Sequence, residues 1–337
     1  MCSSVTRMAT SYRSYAEQGA HYFGRPHESL PPGPIAGPAA WRGAALDART
    51  WRVALDAEQL AGFEQALAAA RATGKRLAEL TRDDFPLPPK LAADVARWRN
   101  ELVAGRGFLL LSGLPALRWG EEDASRFYWG FGLGLGWPGA QNPQGDLLGH
   151  VLDTGDDQAN PLVRLYRTRK DIAYHCDAAD AVGLLCLSAA RRGGLSRLAS
   201  SVTVYNEVLR RRPEFAPRLF EPFALDLRSE ERPGMRGWIP VTPCRYAGGV
   251  LRSFYHSDYF RSAARHADAP RLSKDEQALL ELYEEIANEP EIRLDMELRP
   301  GDLQLVSNHT VIHARTAYED APDSVGRRHL LRLWLSL

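Results

Sequence analysis

Lysine is almost missing from this chain: Lys75, Lys90, Lys170 and Lys274 are the only lysines among 42 basic residues. The 42 acidic residues balance the basic ones, so no net positive charge favours nucleic acid or an anionic membrane. Cysteine is scarce too. Cys2, Cys176, Cys186 and Cys244 are scattered, with neither a C-x-x-C pair nor a disulfide framework, which points to a reducing compartment. No run of about 18 apolar residues is present to span a bilayer. Met1–Tyr15 lacks the apolar centre of a secretion signal. The expectation is a cytoplasmic protein, alone or as a homo-oligomer, whose partner is a small molecule.

Several catalytic signatures are missing as well. No G-x-S-x-G elbow anchors a hydrolase reading, and the glycines of Gly132–Gly136 lack both the phosphate-loop context and a Walker lysine. Cys176 sits between His175 and Asp177, but neighbours on a strand point to opposite faces, so a Cys–His nucleophile pair is disfavoured and a packed thiol expected.

What is present divides the chain by texture. Pro26, Pro31, Pro32, Pro34 and Pro38 make residues 1–50 an expected irregular segment, followed by a single domain over 51–337. Apolar residues at three-to-four spacing predict helices over Asp56–Glu79 and Leu91–Val103, with another over Glu122–Phe131. Gly107–Gly113 encloses a buried strand. Beyond about residue 145 short apolar runs dominate: Pro161–Tyr166, Ala181–Leu187, Ile292–Leu298, Leu303–Ser307, Val311–Ala314 and Leu330–Leu337. Two helices interrupt them, Thr203–Arg211 and Ser273–Ala287. Helices first and many short strands later predict an α+β protein with a sandwich or barrel-like core.

In Tyr174-His175-Cys176-Asp177 the histidine and the aspartate stand at i and i+2, on one face of an extended chain, where both reach one ion. A second imidazole from a distant strand would complete the two-histidine, one-carboxylate set of non-haem Fe(II) oxygenases, with positions left for a co-substrate and dioxygen. Near the C-terminus, Arg328 and Arg332 flank a run that reads as a buried strand. Buried guanidinium groups call for a carboxylate partner.

His175-Cys-Asp177, Gly193-Gly-Leu-Ser-Arg197, Asn308-His-Thr-Val-Ile-His-Ala-Arg315 and the terminal Arg-Arg-x-x-x-Arg together resemble the TauD/TfdA family of Fe(II)- and 2-oxoglutarate-dependent oxygenases over roughly residues 105–337. The resemblance implies a double-stranded β-helix, a jelly roll flanked by helices. It implies His175, Asp177 and His313 as iron ligands, with His309 as the competing histidine. Ser196 would touch 2-oxoglutarate in place of a family threonine, Arg332 would clamp its distal carboxylate, and Arg328 would add a second contact. About six residues at Ala321–Gly326 lengthen the connection ahead of these arginines.

The implied reaction consumes O2 and 2-oxoglutarate, releases succinate and CO2, and oxidises an unactivated C–H by hydroxylation, desaturation or cyclisation. Asn142, Arg164, Tyr166 and Asp171 are candidate substrate contacts, and Met235–Pro240 with Trp238 a candidate lid. Two other readings of the same residues are a non-catalytic cupin-like binding protein and a zinc hydrolase, and neither needs a dicarboxylate clamp.

Overall fold

The computed structural model describes residues 11–156, 164–231, 234–321 and 327–337. Strict alternation along its strands builds the architecture. In the last strand, His329–Ser336, Leu331, Leu333 and Leu335 pack into one cluster, whereas Leu330 and Trp334 pack into another. The same split divides Leu303 and Leu305 from Val306 in Leu303–Ser307, and Leu109 and Leu111 from Phe108 and Leu110 in Phe108–Ser112. Each strand therefore has one face toward helices and one toward a second sheet.

The larger sheet runs Arg52–Ala54, Phe108–Ser112, Leu303–Ser307, Ala181–Ser188, His329–Ser336. The last strand also pairs with Trp137–Gly139 and Gly149–Val151. Among these described strand pairs, Arg52–Ala54 with Phe108–Ser112 is parallel and the others are antiparallel. The smaller sheet is antiparallel, in the order Leu294–Met296, Ser196–Ser200, Val311–Arg315, Ile172–His175. Leu198, Met296 and Val311 on its inner face meet Phe108, Leu110, Val182 and Leu330 of the larger sheet. This is the expected jelly roll.

Helices cover both outer faces. Ala57–Ala72, Pro89–Val103 and Ala116–Leu135 bury Phe63, Leu67, Val95, Phe127 and Phe131 against the larger sheet. Ser201–Arg211 and Lys274–Asn288 bury Val204, Val208, Leu279 and Tyr283 over the smaller one. Ser273 caps the last of these helices in a capping box with Glu276.

Several elements differ from expectation. The first fifty residues are not irregular throughout: Tyr15–Phe23 is a helix, started by a Ser14–Glu17 capping box ahead of the prolines. The helix expected to reach Glu79 ends at Ala72, with a separate 3-10 turn at Leu77–Glu79. The helix expected from Glu122 already begins at Ala116 and breaks at Gly120, whose φ is +70°. The run Pro161–Tyr166 lies partly outside the described residues, and its visible end is a 3-10 turn, Leu165–Arg167, not a strand. Of the lengthened connection, 322–326 also lies outside them.

Candidate metal and co-substrate site

His313 lies opposite His175 in the register of the smaller sheet, and their rings are 4.2 Å apart, centroid to centroid. Asp177 follows His175 by two residues, just past the strand end, so its carboxylate turns to the same side. One donor atom from each of the three lies within 4.8 Å of the others. His309 is elsewhere: it stacks on Tyr22 and bonds Asp180 Oδ1 at 2.7 Å.

The three side chains are prepared to hold a cation. His175 Nδ1 donates to the Ala173 carbonyl at 2.9 Å, which leaves the lone pair of Nε2 available. Buried Asp177 Oδ2 and His313 Nδ1 have no hydrogen-bond partner, and unpaired buried polar atoms are costly unless a ligand completes them. Burial, with His175 nearby, pushes the His313 imidazole down to about 3, so it is neutral at ordinary pH, the form that ligates a metal. Burial alone would raise the Asp177 carboxyl, but the charge of Arg332 and the two histidines hold it below its usual value. Two imidazoles and a carboxylate with these loose ends fit Fe(II).

The turn carrying Asp177 is fixed from behind. Asn308 Oδ1 accepts the Asp177 amide at 3.0 Å, while its Nδ2 donates to the Ala179 carbonyl at 2.9 Å. Cys176 points away, into the cluster under the outer helices, and burial pushes its thiol up to about 12. The expected inert thiol is what the fold provides.

Arginines furnish the second half of the site. Arg332 is buried on the inner face of the last strand. Its Nη1 is 3.5 Å from Asp177 Oδ1, its Nε donates to Gln141 Oε1 at 2.7 Å, and its guanidinium lies over Tyr166. Arg328 stands apart, over Tyr318, and its Nε lies 3.0 Å from where a Cβ on Gly194 would sit. Arg315 covers the same Tyr318 ring and pairs in register with Ser196. Arg328 Nη1 and both Nε and Nη1 of Arg315 are buried without a partner. Burial, reinforced by the neighbouring Arg328 charge, pulls the Arg315 guanidinium down to about 10. Ser196 Oγ bonds Gln304 Oε1 at 2.9 Å. Two under-satisfied buried cations beside a hydroxyl form a cradle for a carboxylate, which fits the distal end of 2-oxoglutarate.

A cleft of about 1000 Å³, including its open mouth, leads to His175 and Asp177. Arg164 and Tyr166 line it as expected; Asn142 and Asp171 do not. Asn142 instead closes a surface turn with Asp146, and Asp171 is exposed at the strand end. Met235–Pro240 is not a loop throughout. Trp238 starts a strand paired with Phe223–Asp226 and packs against Ala224, Ala263 and Ala269; only Ile239 of that segment reaches the cleft. The sequence reading overlooked Tyr15, Arg228, Glu230, His256 and Tyr259, all on the cleft wall. Tyr15 donates to Glu230 Oε2 at 3.2 Å, and Glu230 is ion-paired to Arg164.

Comparison with known proteins agrees with this geometry. Residues 70–334 match the family described as taurine catabolism dioxygenase TauD, TfdA family. The chain is 32% identical over 308 residues to FR-33289 synthase of Streptomyces rubellomurinus (strain ATCC 31215), covering 90% of this chain and 91% of that protein. It is 27% identical to a taurine hydroxylase-like protein of Stachybotrys chartarum (strain CBS 109288 / IBT 7711), over 83% of this chain and 74% of the other. Among solved structures, asparagine oxygenase with Fe(II), 2S,3S-3-hydroxyasparagine and succinate superposes with a TM-score of 0.66 at 18% identity, covering 85% of this chain and 93% of that one. The non-heme iron oxygenase OrfP with Fe and alpha-ketoglutaric acid gives 0.62 at 14% identity, over 85% and 94%. The chain belongs to the TauD/TfdA family and is an Fe(II)- and 2-oxoglutarate-dependent dioxygenase.

Proposed function

We propose that His175, Asp177 and His313 hold the iron, that Ser196 and Arg328 with Arg315 hold 2-oxoglutarate, and that the substrate is a small zwitterionic, amino-acid-like metabolite. The convergence of the three donor groups, with Asp177 Oδ2 free of hydrogen bonds and 3.7 Å from His313 Nε2, carries the metal assignment. When bound, Fe(II) supplies activation of O2 coupled to oxidative decarboxylation of 2-oxoglutarate. The chain's own work is to orient and to exclude water. Ala173 and Asn308 fix the directions of His175 and Asp177. Arg332 keeps Asp177 ionised. The paired sheets bury the co-substrate end, with the Phe108, Leu198 and Leu330 cluster packed between them.

The co-substrate clamp moves from Arg332 to Arg328 in this reading. Arg332 is engaged by Gln141 and Asp177 beside the metal ligands. Arg328 instead stands by the Gly193-Gly194 turn that leads into Ser196.

Charges of both signs on one cleft wall support the substrate class. Arg164, Arg228 and Arg332 can meet a carboxylate or another anion, and Glu230 and Asp258 an ammonium group. The asparagine and arginine derivatives bound by asparagine oxygenase and OrfP are compatible with it. The N-terminal helix belongs to this catalytic unit, because Tyr15 and Phe23 line the cleft.

Anaerobic addition of Fe(II) and then 2-oxoglutarate tests the site. A visible charge-transfer band that is absent from the Asp177→Ala protein is expected. No band in the parent would remove the assignment. Succinate release measured across a panel of amino acids and their derivatives tests the substrate class, and stimulation confined to uncharged compounds would overturn it.

A further inference from the structure

A second group of metal-binding side chains stands on the far side of the larger sheet from the iron ligands. His150 comes from Gly149–Val151, His329 begins the last strand, and Glu121 lies just after the Gly120 break in Ala116–Leu135. His150 Nδ1 and His329 Nε2 are 2.9 Å apart, and their rings stack at 5.1 Å. Glu121 brings one carboxylate oxygen to 3.8 Å from His150 Nδ1 and the other to 3.8 Å from His329 Nδ1. One donor atom from each of the three lies within 4.8 Å of the other two. Neighbouring Glu122 is tied to Arg126 and is not needed as a ligand.

We infer that Glu121, His150 and His329 form a second divalent-metal site, selective for a borderline ion such as Zn(II). Two imidazoles and one carboxylate with solvent at a fourth position is a common zinc donor set. Ligand bonds of about 2.0 Å in a tetrahedron put donor atoms roughly 3.3 Å apart, and the observed spacings of 2.9 and 3.8 Å bracket that value. Burial lowers the His329 pKa, which favours the neutral, ligating form. An ion here would tie together a helix start and two strands. It would also fix the chain next to Arg328, which immediately precedes His329. The site shares no residue with the iron ligands, so it does not depend on their assignment.

Equilibrium dialysis of the untagged full chain against Zn(II) tests this, with bound metal counted per chain. The parent should hold one equivalent more than His150→Ala and one more than Asp177→Ala, and the double variant should lose both. His150 and Glu121 are well exposed, with side chains 44% and 59% accessible, so neither His150→Ala nor Glu121→Gln should impair folding. Glu121→Gln should reproduce the loss, and the zinc-dependent rise in melting temperature should shrink with it to the part that the Asp177 site supplies. Unchanged zinc content in His150→Ala overturns the second site and leaves the iron site standing. Unchanged content in Asp177→Ala would count against the iron ligands alone.

Discussion

Arg332 Nη1 stands 3.5 Å from Asp177 Oδ1, so the last strand holds the carboxylate of the His175-Cys-Asp177 motif. The pairing occupies Arg332 at Asp177, whereas Arg328, four residues earlier and just ahead of the strand, lies over Tyr318.

Arg328→Ala should therefore raise the 2-oxoglutarate concentration for half-maximal succinate formation. Stranding one charge of a desolvated pair typically costs about 2–5 kcal/mol, a weakening of roughly thirtyfold or more. Arg332→Ala should instead lose turnover with the primary substrate while 2-oxoglutarate dependence changes much less. Steady-state kinetics on both variants decides it, and the opposite pattern would return the clamp to Arg332.

Asp177→Ala and His313→Ala should lose Fe(II) binding, followed by the charge-transfer band, while His309→Ala keeps both. His309 serves Asp180 and Tyr22 instead. Its removal should show in thermal stability, and a dead His309→Ala protein with normal His313→Ala turnover would reverse the choice.

Much of this site was legible because strand alternation is unambiguous. His175 and Asp177 share a face, Cys176 does not, and Arg328 and Arg332 fall on the side of Leu330 and Trp334. The sequence alone could not rank the two arginines, because the residues around them that differ, Tyr318, Gln141 and Gly194, come from three distant segments. The helix Tyr15–Phe23 was overlooked although Ser14-x-x-Glu17 announces its start; the prolines that follow dominated the reading. Arg228 sits in a turn, and His256 and Tyr259 open the six-residue helix Ser257–Ser262, which is too short to show a periodicity, so only the assembled cleft brings them together. Asn142 and Asp171 are polar residues near the site in sequence, and polarity alone does not say which way a loop turns.

Acid should loosen the N- and C-terminal segments before the rest of the chain. Burial would raise the Asp180 carboxyl, but hydrogen bonds from His309, Arg25 and the Leu337 amide hold it far below its usual value. A depressed carboxyl contributes stability that is full above the unfolded pKa of about 3.9 and lost as pH falls toward the folded one. Melting temperature should fall below about pH 4 in the parent. In Asp180→Asn it should already be lower at neutral pH and vary less across that acid range. A parallel acid dependence in both proteins would show that other carboxylates dominate.

Cys176→Ser should leave turnover per iron-loaded molecule within a few-fold of the parent. The thiol is buried, protonated and directed away from His175. Its sulfur lies 3.8 Å from the Val311 carbonyl. A hydroxyl there costs stability only to the extent that it fails to reach that carbonyl. Loss of oxidation with Fe(II) and 2-oxoglutarate binding retained would bring the thiol into the chemistry.

The Gly193-Gly194 turn offers the most direct test of where 2-oxoglutarate ends. Both glycines have positive φ, 73° and 70°, so alanine at either place carries a backbone penalty of roughly 1–2 kcal/mol. They differ in what a new Cβ would meet. At Gly193 it would lie 2.2 Å from the Ala317 carbonyl oxygen, a backbone atom that cannot yield. At Gly194 it would meet the Arg328 side chain, at 3.0 Å from Nε. Gly193→Ala should therefore lower melting temperature more, with binding in the surviving folded protein little altered. Gly194→Ala should stay folded but shift the Arg328 guanidinium, raising the 2-oxoglutarate requirement without a matching change in iron affinity. If Gly194→Ala bound 2-oxoglutarate as the parent does, while Arg328→Ala did not, the clamp would stand but its dependence on this turn would fall.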